Sequence, residues 1–228
     1  MDRRSRREGA HAMILYGSTL SPFVRKVMAY AGEKGLEIEL KPTGAPNHEP
    51  EFCAASPFKK MPALKDGDYE LSDSSAIIHY LEAKYPEPAL IPAEPRARGR
   101  VIWFEEFSDT LLFGCGAKVF FNRVVAPYFL KRPGDEDAAE AAIRDELPPI
   151  MNYLEKTVPG ESGYLVGDSL TLADIAVAGP FANFQHTDVA IDDYPRTAAY
   201  VRRILARPSF SQWIEREAAI LAKVREAA

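Results

Sequence analysis

Residues 58–82 constrain the fold most, because their hydrophobic pattern changes from that of two strands to that of a helix. Residues 63–65 and 69–71 have the pattern of short strands, and the Asp66-Gly67 dipeptide between them tolerates the positive φ that closes a hairpin. The apolar residues that follow recur with helical spacing. Pro86 ends this helix, since the residue before a proline avoids the helical conformation. The segment therefore predicts a hairpin followed directly by a helix.

Two positions in this segment could bind a ligand. Pro62 precedes the first strand, where a residue without a ladder donor belongs, and it can take the cis form. The backbone of Met61 would then be free to pair with something other than the sheet. Asp73 and Ser74 stand where the helix begins, and the unpaired N–H groups there can hold a carboxylate, while Asp73 can hold an ammonium. The junction would fit an amino-acid head group; the alternative is that both residues only cap the helix.

The residues upstream complete an α/β domain. Residues 13–16 form a short apolar strand, Ser21-Pro22 starts a helix as N-cap and first-turn proline, and residues 37–41 alternate as a second strand. Residues 49–54 form at most a short helix. The order β-α-β-α-β-β-α begins with a parallel crossover and ends with an antiparallel hairpin. It predicts a mixed four-stranded sheet with helices on its faces, a fold that resembles thioredoxin, over residues 13–85.

The second half of the chain is predicted to be all-helical. Residues 86–95 hold four prolines and predict a stiff linker. Residues 96–228 show no strand pattern, and Thr171 with Asp174 forms a variant of the capping box that starts a buried helix. Pro148-Pro149 predicts a kink or a break. The helices are expected at residues 96–122, 138–156, 172–185 and 194–206, with a last one from 208.

Composition excludes several functional classes. Apolar residues make up 46% of the chain, charged residues 27%, and the net charge is -5, so a nucleic-acid partner has no electrostatic support. Cys53 and Cys115 are far apart and lack metal-ligand spacing, which indicates a reducing, cytoplasmic location and no metal site. No apolar run approaches the ~20 residues that cross a bilayer. Residues 1–12 are basic, lack the apolar core of a signal peptide, and are expected to form a disordered extension.

Two stretches resemble the glutathione-binding half of the cytosolic glutathione transferases. Residues 56–64 read Ser-Pro-Phe-Lys-Lys-Met-Pro-Ala-Leu, and residues 71–77 read Leu-Ser-Asp-Ser-Ser-Ala-Ile. The family typically has Asn-Pro-x-Gly-Lys-Val-Pro-x-Leu and then Glu-Ser-x-Ala-Ile, so Lys59 replaces the usual Gly and Asp73 the commoner Glu. A box similar to that at Thr171 also occurs in the family. The resemblance therefore covers both halves, from about residue 13 to 210.

The resemblance implies that glutathione is the co-substrate, without a metal, and that its sulfur attacks a small hydrophobic electrophile in a detoxification reaction. It also implies a homodimer. Ser21-Pro22-Phe23, which Arg25 follows, resembles the serine motif of tau-type relatives, in which the serine hydroxyl activates the thiol. Omega-type relatives carry Cys at the position of Ser21. Ser18 and Tyr16 are rival donors, because other relatives place the hydroxyl in or just after the first strand. Ser21 could also serve only as an N-cap.

The same resemblance distributes the parts of glutathione over the first half of the chain. The Met61 backbone, with Pro62 and Phe23 beside it, would take the cysteinyl part. Asp73 and Ser74 would take the γ-glutamyl head. Lys60 would take the glycyl carboxylate, to which His48 could add.

The electrophile pocket is expected at Leu20, Phe113, Ala117 and Phe120; the three on the helix share one face, although such a stripe is more often core. Two other functions remain open. One is a glutathione-dependent thiol reductase, which Ser rather than Cys at position 21 disfavours. The other is a binding module of the same fold without chemistry.

Overall fold

The structure of the chain is a computed structural model. It describes residues 13–43, 49–159 and 163–227. It divides into two compact units, one ending at Pro86 and the other beginning at Glu87. The predicted disordered extension at residues 1–12 lies outside the described residues, as does His48. No helix in the described ranges is long and apolar enough to span a membrane.

Among its described residues, the first unit is a mixed four-stranded sheet with three helices. Its strands lie in the order β2-β1-β3-β4; β1 runs parallel to β2 and antiparallel to β3, and β3 runs antiparallel to β4. This topology confirms the thioredoxin-like prediction. In chain order the elements are β1 (Met13–Tyr16), α1 (Pro22–Glu33), β2 (Ile38–Lys41), α2 (Pro50–Ala55), β3 (Ala63–Asp66), β4 (Tyr69–Ser72) and α3 (Ser74–Lys84).

The hairpin turn lies one residue later than predicted. Asp66 pairs with Tyr69 in the ladder, so the two-residue loop is Gly67-Asp68 rather than Asp66-Gly67. Gly67 has φ 66°, and glycine at the first loop position is one of the favoured arrangements of a tight hairpin. The Asp66 carboxylate accepts hydrogen bonds from the Tyr80 hydroxyl at 2.8 Å and from Lys84 Nζ. These bonds to α3 hold Asp66 at the end of β3.

The two faces of the sheet are buried by different helices. α1 and α3 pack together, and Val27 and Ile77 of these helices are fully buried. Tyr16, by contrast, belongs to a buried cluster with Phe52 and Ala55 of α2. Burying an aliphatic or phenylalanine side chain of this kind contributes about 1.5–3 kcal/mol to the stability of the fold. The helices on both faces are therefore held to the sheet by buried apolar side chains.

The second unit contains helices only, among its described residues, as predicted. The helices are α4 (Pro95–Phe107), α5 (Phe113–Phe120), α6 (Glu136–Ala141), α7 (Leu147–Thr157), α8 (Leu172–Ala178), α9 (Phe181–His186), α10 (Pro195–Leu205) and α11 (Pro208–Glu226). One π-helical turn joins α4 to α5 (Ser108–Leu112), a second follows α5 (Phe121–Phe129), and a third joins α6 to α7 (Ala142–Glu146).

Two expectations for this half need correction. The helix predicted at residues 172–185 is interrupted at Gly179-Pro180, because proline cannot donate the next helical hydrogen bond. Pro148-Pro149 does not break its helix: the π-helical turn precedes it, and both prolines fall in the first turn of α7, where N–H groups are not needed. Within the predicted stiff linker, Leu90 is 5% exposed and its carbonyl accepts a hydrogen bond from the Leu172 N–H at 2.9 Å.

The capping box at the start of α8 forms as predicted, and its carboxylate does more than cap. Asp174 Oδ2 accepts from the Thr171 N–H at 2.9 Å, while Oδ1 accepts from the Leu165 N–H at 2.9 Å and from the Tyr200 hydroxyl at 2.8 Å. Burial raises the pKa of the Asp174 carboxyl, and the hydrogen bonds from Leu165 and Thr171 act in the opposite direction. One buried side chain thus joins α8, α10 and the loop before α8.

Candidate functional site

The sheet register brings three parts of the chain to one edge of the first unit. Tyr16, the last residue of β1, pairs with Ala63, the first residue of β3. Ala63 also pairs with Ser72, the last residue of β4. The loop after β1, the Met61-Pro62 peptide before β3, and the Asp73-Ser74 junction after β4 therefore start from three neighbouring positions in one row.

Gly17 allows the loop after β1 to pack closely against Val24 of α1. A Cβ at Gly17 would lie 2.5 Å from Val24 Cγ2, which is a clash, and 3.5 Å from Met61 Cβ, which is an ordinary contact. The Met61-Pro62 bond is cis, and Met61 precedes the first ladder pair of β3. Its backbone therefore lies outside the sheet, and its contact with glutathione stays a prediction.

Ser21 stands at the N-terminus of α1 with its hydroxyl unused for capping. Its backbone is extended, with φ -77° and ψ 122°, and its side chain makes no capping hydrogen bond. Backbone hydrogen bonds hold the start of the helix instead. The Ser21 N–H donates to the Ser18 carbonyl at 2.9 Å, and the Arg25 N–H donates to the Ser21 carbonyl at 3.0 Å. The purely capping interpretation of the Ser21 side chain is therefore not supported, and its O–H can be donated to a ligand.

The rival Tyr16 is placed differently. Its side chain is fully buried on the α2 side of the sheet, and its hydroxyl donates to Glu51 Oε2 at 3.4 Å. Burial raises the pKa of Tyr16, and the Glu51 carboxylate raises it further. This hydroxyl is directed to α2. Ser18 is half-buried in the same loop as Ser21 and stays a rival.

Asp73 caps α3 with only one of its two carboxylate oxygens. Both of its capping bonds, from Ser75 N–H at 2.9 Å and Ala76 N–H at 3.1 Å, reach Oδ1, which leaves Oδ2 open. Asp73 has φ 82° and ψ 130°, a sparsely populated conformation of the kind found at ligand sites. Ser74 beside it is 3% exposed. Lys26 Nζ donates to Ser75 Oγ at 3.3 Å and so joins α1 to the start of α3.

The loop before Met61 is held by a buried serine that the sequence analysis did not identify. The Ser56 hydroxyl donates to the Lys60 carbonyl at 2.7 Å and accepts from the Lys60 N–H at 3.0 Å, leaving the Lys60 ammonium exposed to solvent. Lys59 has φ 56°, the left-handed region that glycine adopts without cost, which accounts for the Gly expected there. The sequence contained a signal for the close approach at Gly17, because a glycine directly after a strand indicates one. It contained no comparable signal for the hydrogen bonds of Ser56.

The predicted electrophile residues belong to both units. Leu20 is half-buried in the first unit, and Phe113 and Ala117 are half-buried on α5 of the second, where Phe120 is 8% exposed. Their grouping into one pocket stays a prediction. Phe23, which was predicted to contact glutathione, is also half-buried in the first unit. Within the described ranges, no group of three or more His, Cys, Asp or Glu side chains could hold a metal ion.

A thioredoxin-like unit with a ligand site beside a cis-proline, followed by an all-helical unit, defines a class that comparison with known proteins identifies. The model described as "Glutathione S-transferase, N-terminal domain" matches residues 15–89. The model described as "Glutathione S-transferase, C-terminal domain" matches residues 120–217. The chain belongs to the glutathione S-transferase family.

Individual relatives agree with this assignment. The chain is 32% identical to a glutathione S-transferase of Hyoscyamus muticus, over 89% of this chain and 98% of that protein. It is 30% identical to a maleylacetoacetate isomerase of Pseudomonas aeruginosa, over 86% and 92% respectively. The structure of glutathione S-transferase I from maize with an atrazine glutathione conjugate is similar with a TM-score of 0.79 and 25% identity, covering 90% of this chain and 97% of that one. The finer resemblance to tau and omega types stays a prediction.

Proposed function

We propose that this protein transfers the glutathione thiolate to small hydrophobic electrophiles, as a detoxification enzyme of the cytoplasm. The observation that supports this most directly is the sheet register, from which the loop that leads to Ser21, the Met61-Pro62 peptide and Asp73 start at neighbouring positions of one sheet edge. The site offers a free hydroxyl, an unpaired backbone segment and an open carboxylate oxygen. Glutathione presents a thiol, a peptide backbone and an ammonium that match these groups.

The chemical task is to ionise the thiol. A free thiol has a pKa of ~8.5, so little thiolate exists at neutral pH. Lowering that pKa by about two units requires ~2.7 kcal/mol. A hydrogen bond from Ser21 to the thiolate supplies ~1.5–3 kcal/mol, and the N-terminus of α1 adds ~0.3–1 kcal/mol. The two together are sufficient.

Binding is divided among the groups around the reacting sulfur. The Met61 backbone pairs with the cysteinyl backbone, beside Pro62 and Phe23. Asp73 Oδ2 takes the γ-glutamyl ammonium, and the first turn of α3, with Ser74, takes the neighbouring carboxylate. Lys60 takes the glycyl carboxylate. Leu20, Phe113, Ala117 and Phe120 remain the residues we propose for the electrophile.

Two measurements on the wild-type protein test the proposal against its alternatives. The protein should be retained on immobilised glutathione and should conjugate a chromogenic electrophile. Retention without turnover would instead support a non-catalytic binding module. Turnover of a glutathione mixed disulfide without conjugation would support a thiol reductase, for which Ser21 is the unfavourable residue.

A second candidate reaction is cis–trans isomerisation, which the similarity to a maleylacetoacetate isomerase favours. A thiolate that adds to a conjugated cis double bond turns it into a single bond, which can rotate. Elimination of the same thiolate then restores the double bond in the trans form, and glutathione is not consumed. Incubation with maleylacetoacetate and catalytic amounts of glutathione separates this reaction from conjugation, which consumes one glutathione per product.

The Asp73→Asn variant should bind glutathione about tenfold more weakly or worse, because the ligand ammonium loses a charged hydrogen-bond partner worth ~1.5–3 kcal/mol. Asparagine is as good an N-cap as aspartate, so thermal stability should change little. Calorimetric titration with glutathione gives the affinity and a thermal melt gives the control. A glutathione Kd within about a factor of two of the wild-type value would indicate that Asp73 only caps α3.

The protein should be a homodimer. Besides the family resemblance, Phe58 is 85% exposed, and a dimer contact over it would remove apolar surface from water. Sedimentation should give twice the 25.3 kDa mass of the chain. The Phe58→Asp variant should shift the equilibrium towards monomer, while Tyr69→Asp, at another exposed aromatic residue, serves as the comparison. A wild-type protein that sediments as a monomer at micromolar concentration would contradict the prediction.

A further inference from the structure

The loop between α2 and β3 is held by hydrogen bonds from one buried side chain. Ser56 is the C-cap residue of α2 and is 1% exposed. Its hydroxyl donates to the Lys60 carbonyl at 2.7 Å and accepts from the Lys60 N–H at 3.0 Å. Both backbone polar groups of Lys60, the residue directly before Met61, are therefore bound to the same oxygen atom.

Packing within the chain contributes little to the conformation of this loop. Residues 57–60 are all exposed, so they bury little apolar surface. Lys59 has φ 56°, a left-handed conformation that costs free energy in a residue with a Cβ. The Lys59 N–H donates to the Ser56 carbonyl at 2.9 Å. Hydrogen bonds to Ser56 thus stabilise a loop conformation that apolar burial does not stabilise and that Lys59 opposes.

The Met61-Pro62 peptide follows this loop directly and is anchored on both sides. On its C-terminal side, Ala63 pairs with Tyr16 in the ladder between β1 and β3. On its N-terminal side, the Ser56 hydroxyl holds the Lys60 backbone. A backbone segment that already has its binding conformation loses less conformational entropy when a ligand arrives, and this strengthens binding.

We propose that Ser56 is a positioning residue for glutathione, an inference that rests on the glutathione site proposed above. Ser56 acts through Lys60 and does not itself touch the ligand. By holding the Lys60 backbone, it fixes the Met61 backbone where the cysteinyl part binds, and it fixes the point from which the Lys60 side chain reaches the glycyl carboxylate. Ionisation of the thiol is left to Ser21, so Ser56 governs the affinity for glutathione and not the pKa of its thiol.

The Ser56→Ala variant of the full-length protein removes both hydrogen bonds to Lys60. It should bind glutathione about tenfold more weakly, the equivalent of one hydrogen bond. S-methylglutathione, whose thioether cannot ionise, should lose the same factor in calorimetric titration. In the conjugation assay the glutathione KM should rise about tenfold while kcat stays within about twofold, because this interaction is equal in the ground state and the transition state. The opposite split is expected for a group that acts on the charge of the thiol.

The matched control is Ser108→Ala in the second unit. Ser108 is also 1% exposed, and its hydroxyl donates to the Ala176 carbonyl at 2.7 Å. The two alanine variants should lose similar thermal stability, but Ser108→Ala should bind both ligands like wild type. Ser56→Thr keeps a hydroxyl that donates and accepts and should bind glutathione within about threefold of wild type. Hydrogen exchange of the Lys60 amide should be faster in Ser56→Ala than in the other proteins.

Three results would overturn the inference. The first is a Ser56→Ala protein that binds both ligands as tightly as Ser108→Ala does. The second is a fall in kcat without a rise in the glutathione KM. The third is a Ser56→Thr protein that has the wild-type melting temperature but binds as weakly as Ser56→Ala. A wild-type protein that binds neither ligand would contradict the glutathione proposal itself, whereas each of these three results contradicts only the role of Ser56.

Discussion

The Ser21→Ala variant should lose about ten- to a hundredfold of kcat near pH 6.5, the value of one hydrogen bond to a charged group. The loss should be small near pH 9, because the thiolate then forms without help. The hydroxyl acts on the charge state of the bound thiol, so kcat should fall more than the glutathione KM rises. A pH–rate profile with saturating electrophile, together with the ultraviolet absorbance of bound thiolate, measures both effects.

The matched controls are Ser18→Ala in the same loop and Tyr16→Phe in the preceding strand. Both should keep the wild-type profile. The Ser21 side chain makes no capping bond, so the melting temperature of Ser21→Ala should stay close to wild type, whereas a lost cap would cost ~1 kcal/mol. If Ser21→Ala keeps the low-pH activity and either control loses it, the donor lies in β1 or its loop.

The Ser21→Cys variant separates the conjugating and thiol-transfer chemistries. A cysteine at a helix N-terminus has a lowered pKa, and its thiolate can attack a glutathione mixed disulfide, release the partner thiol and retain glutathione as a new disulfide. Thiol-transfer activity should therefore appear as conjugation declines. Absence of this activity in a correctly folded Ser21→Cys protein would place residue 21 away from the glutathione sulfur.

The Asp174→Ala variant should have the largest effect on stability, about 3–5 kcal/mol, because buried donors lose their acceptor at ~1–3 kcal/mol each. The donors are the N–H groups of Leu165 and Thr171 and the hydroxyls of Thr171 and Tyr200. For a chain of this length the melting temperature should fall by about 10 °C. Urea unfolding followed by circular dichroism gives the free energy.

Two milder variants show which bonds carry the effect. Tyr200→Phe removes one donor and should cost about 1 kcal/mol. Thr171→Ala removes the N-cap hydroxyl and should also cost ~1 kcal/mol. An Asp174→Ala protein within about 1 kcal/mol of wild type would show that water replaces the carboxylate and that the box only starts α8.

Local patterns were sufficient for most of the architecture. The strand at Met13–Tyr16, the helix that starts at Pro22 and the capping box of Thr171 were all predicted and are all present. These features depend on side-chain periodicity and on residues such as proline that restrict their own backbone, so a short window contains the information. The predicted hairpin turn was one residue early, because Asp66 belongs to the ladder and pairs with Tyr69. Its carboxylate also bonds to α3, and no local pattern contains those partners.

The sequence by itself determined the two halves, the mixed sheet and the residues that are candidates for binding glutathione. Only the tertiary structure decided what those residues are free to do. The register of β1, β3 and β4 joins Tyr16, Ala63 and Ser72 in one row. The fold directs the Tyr16 hydroxyl to Glu51 and leaves the Ser21 hydroxyl uncommitted. The physical reason is that a hydroxyl or carboxylate can cap, pair or bind a ligand from the same sequence position. Which of these it does depends on neighbours that are distant in sequence.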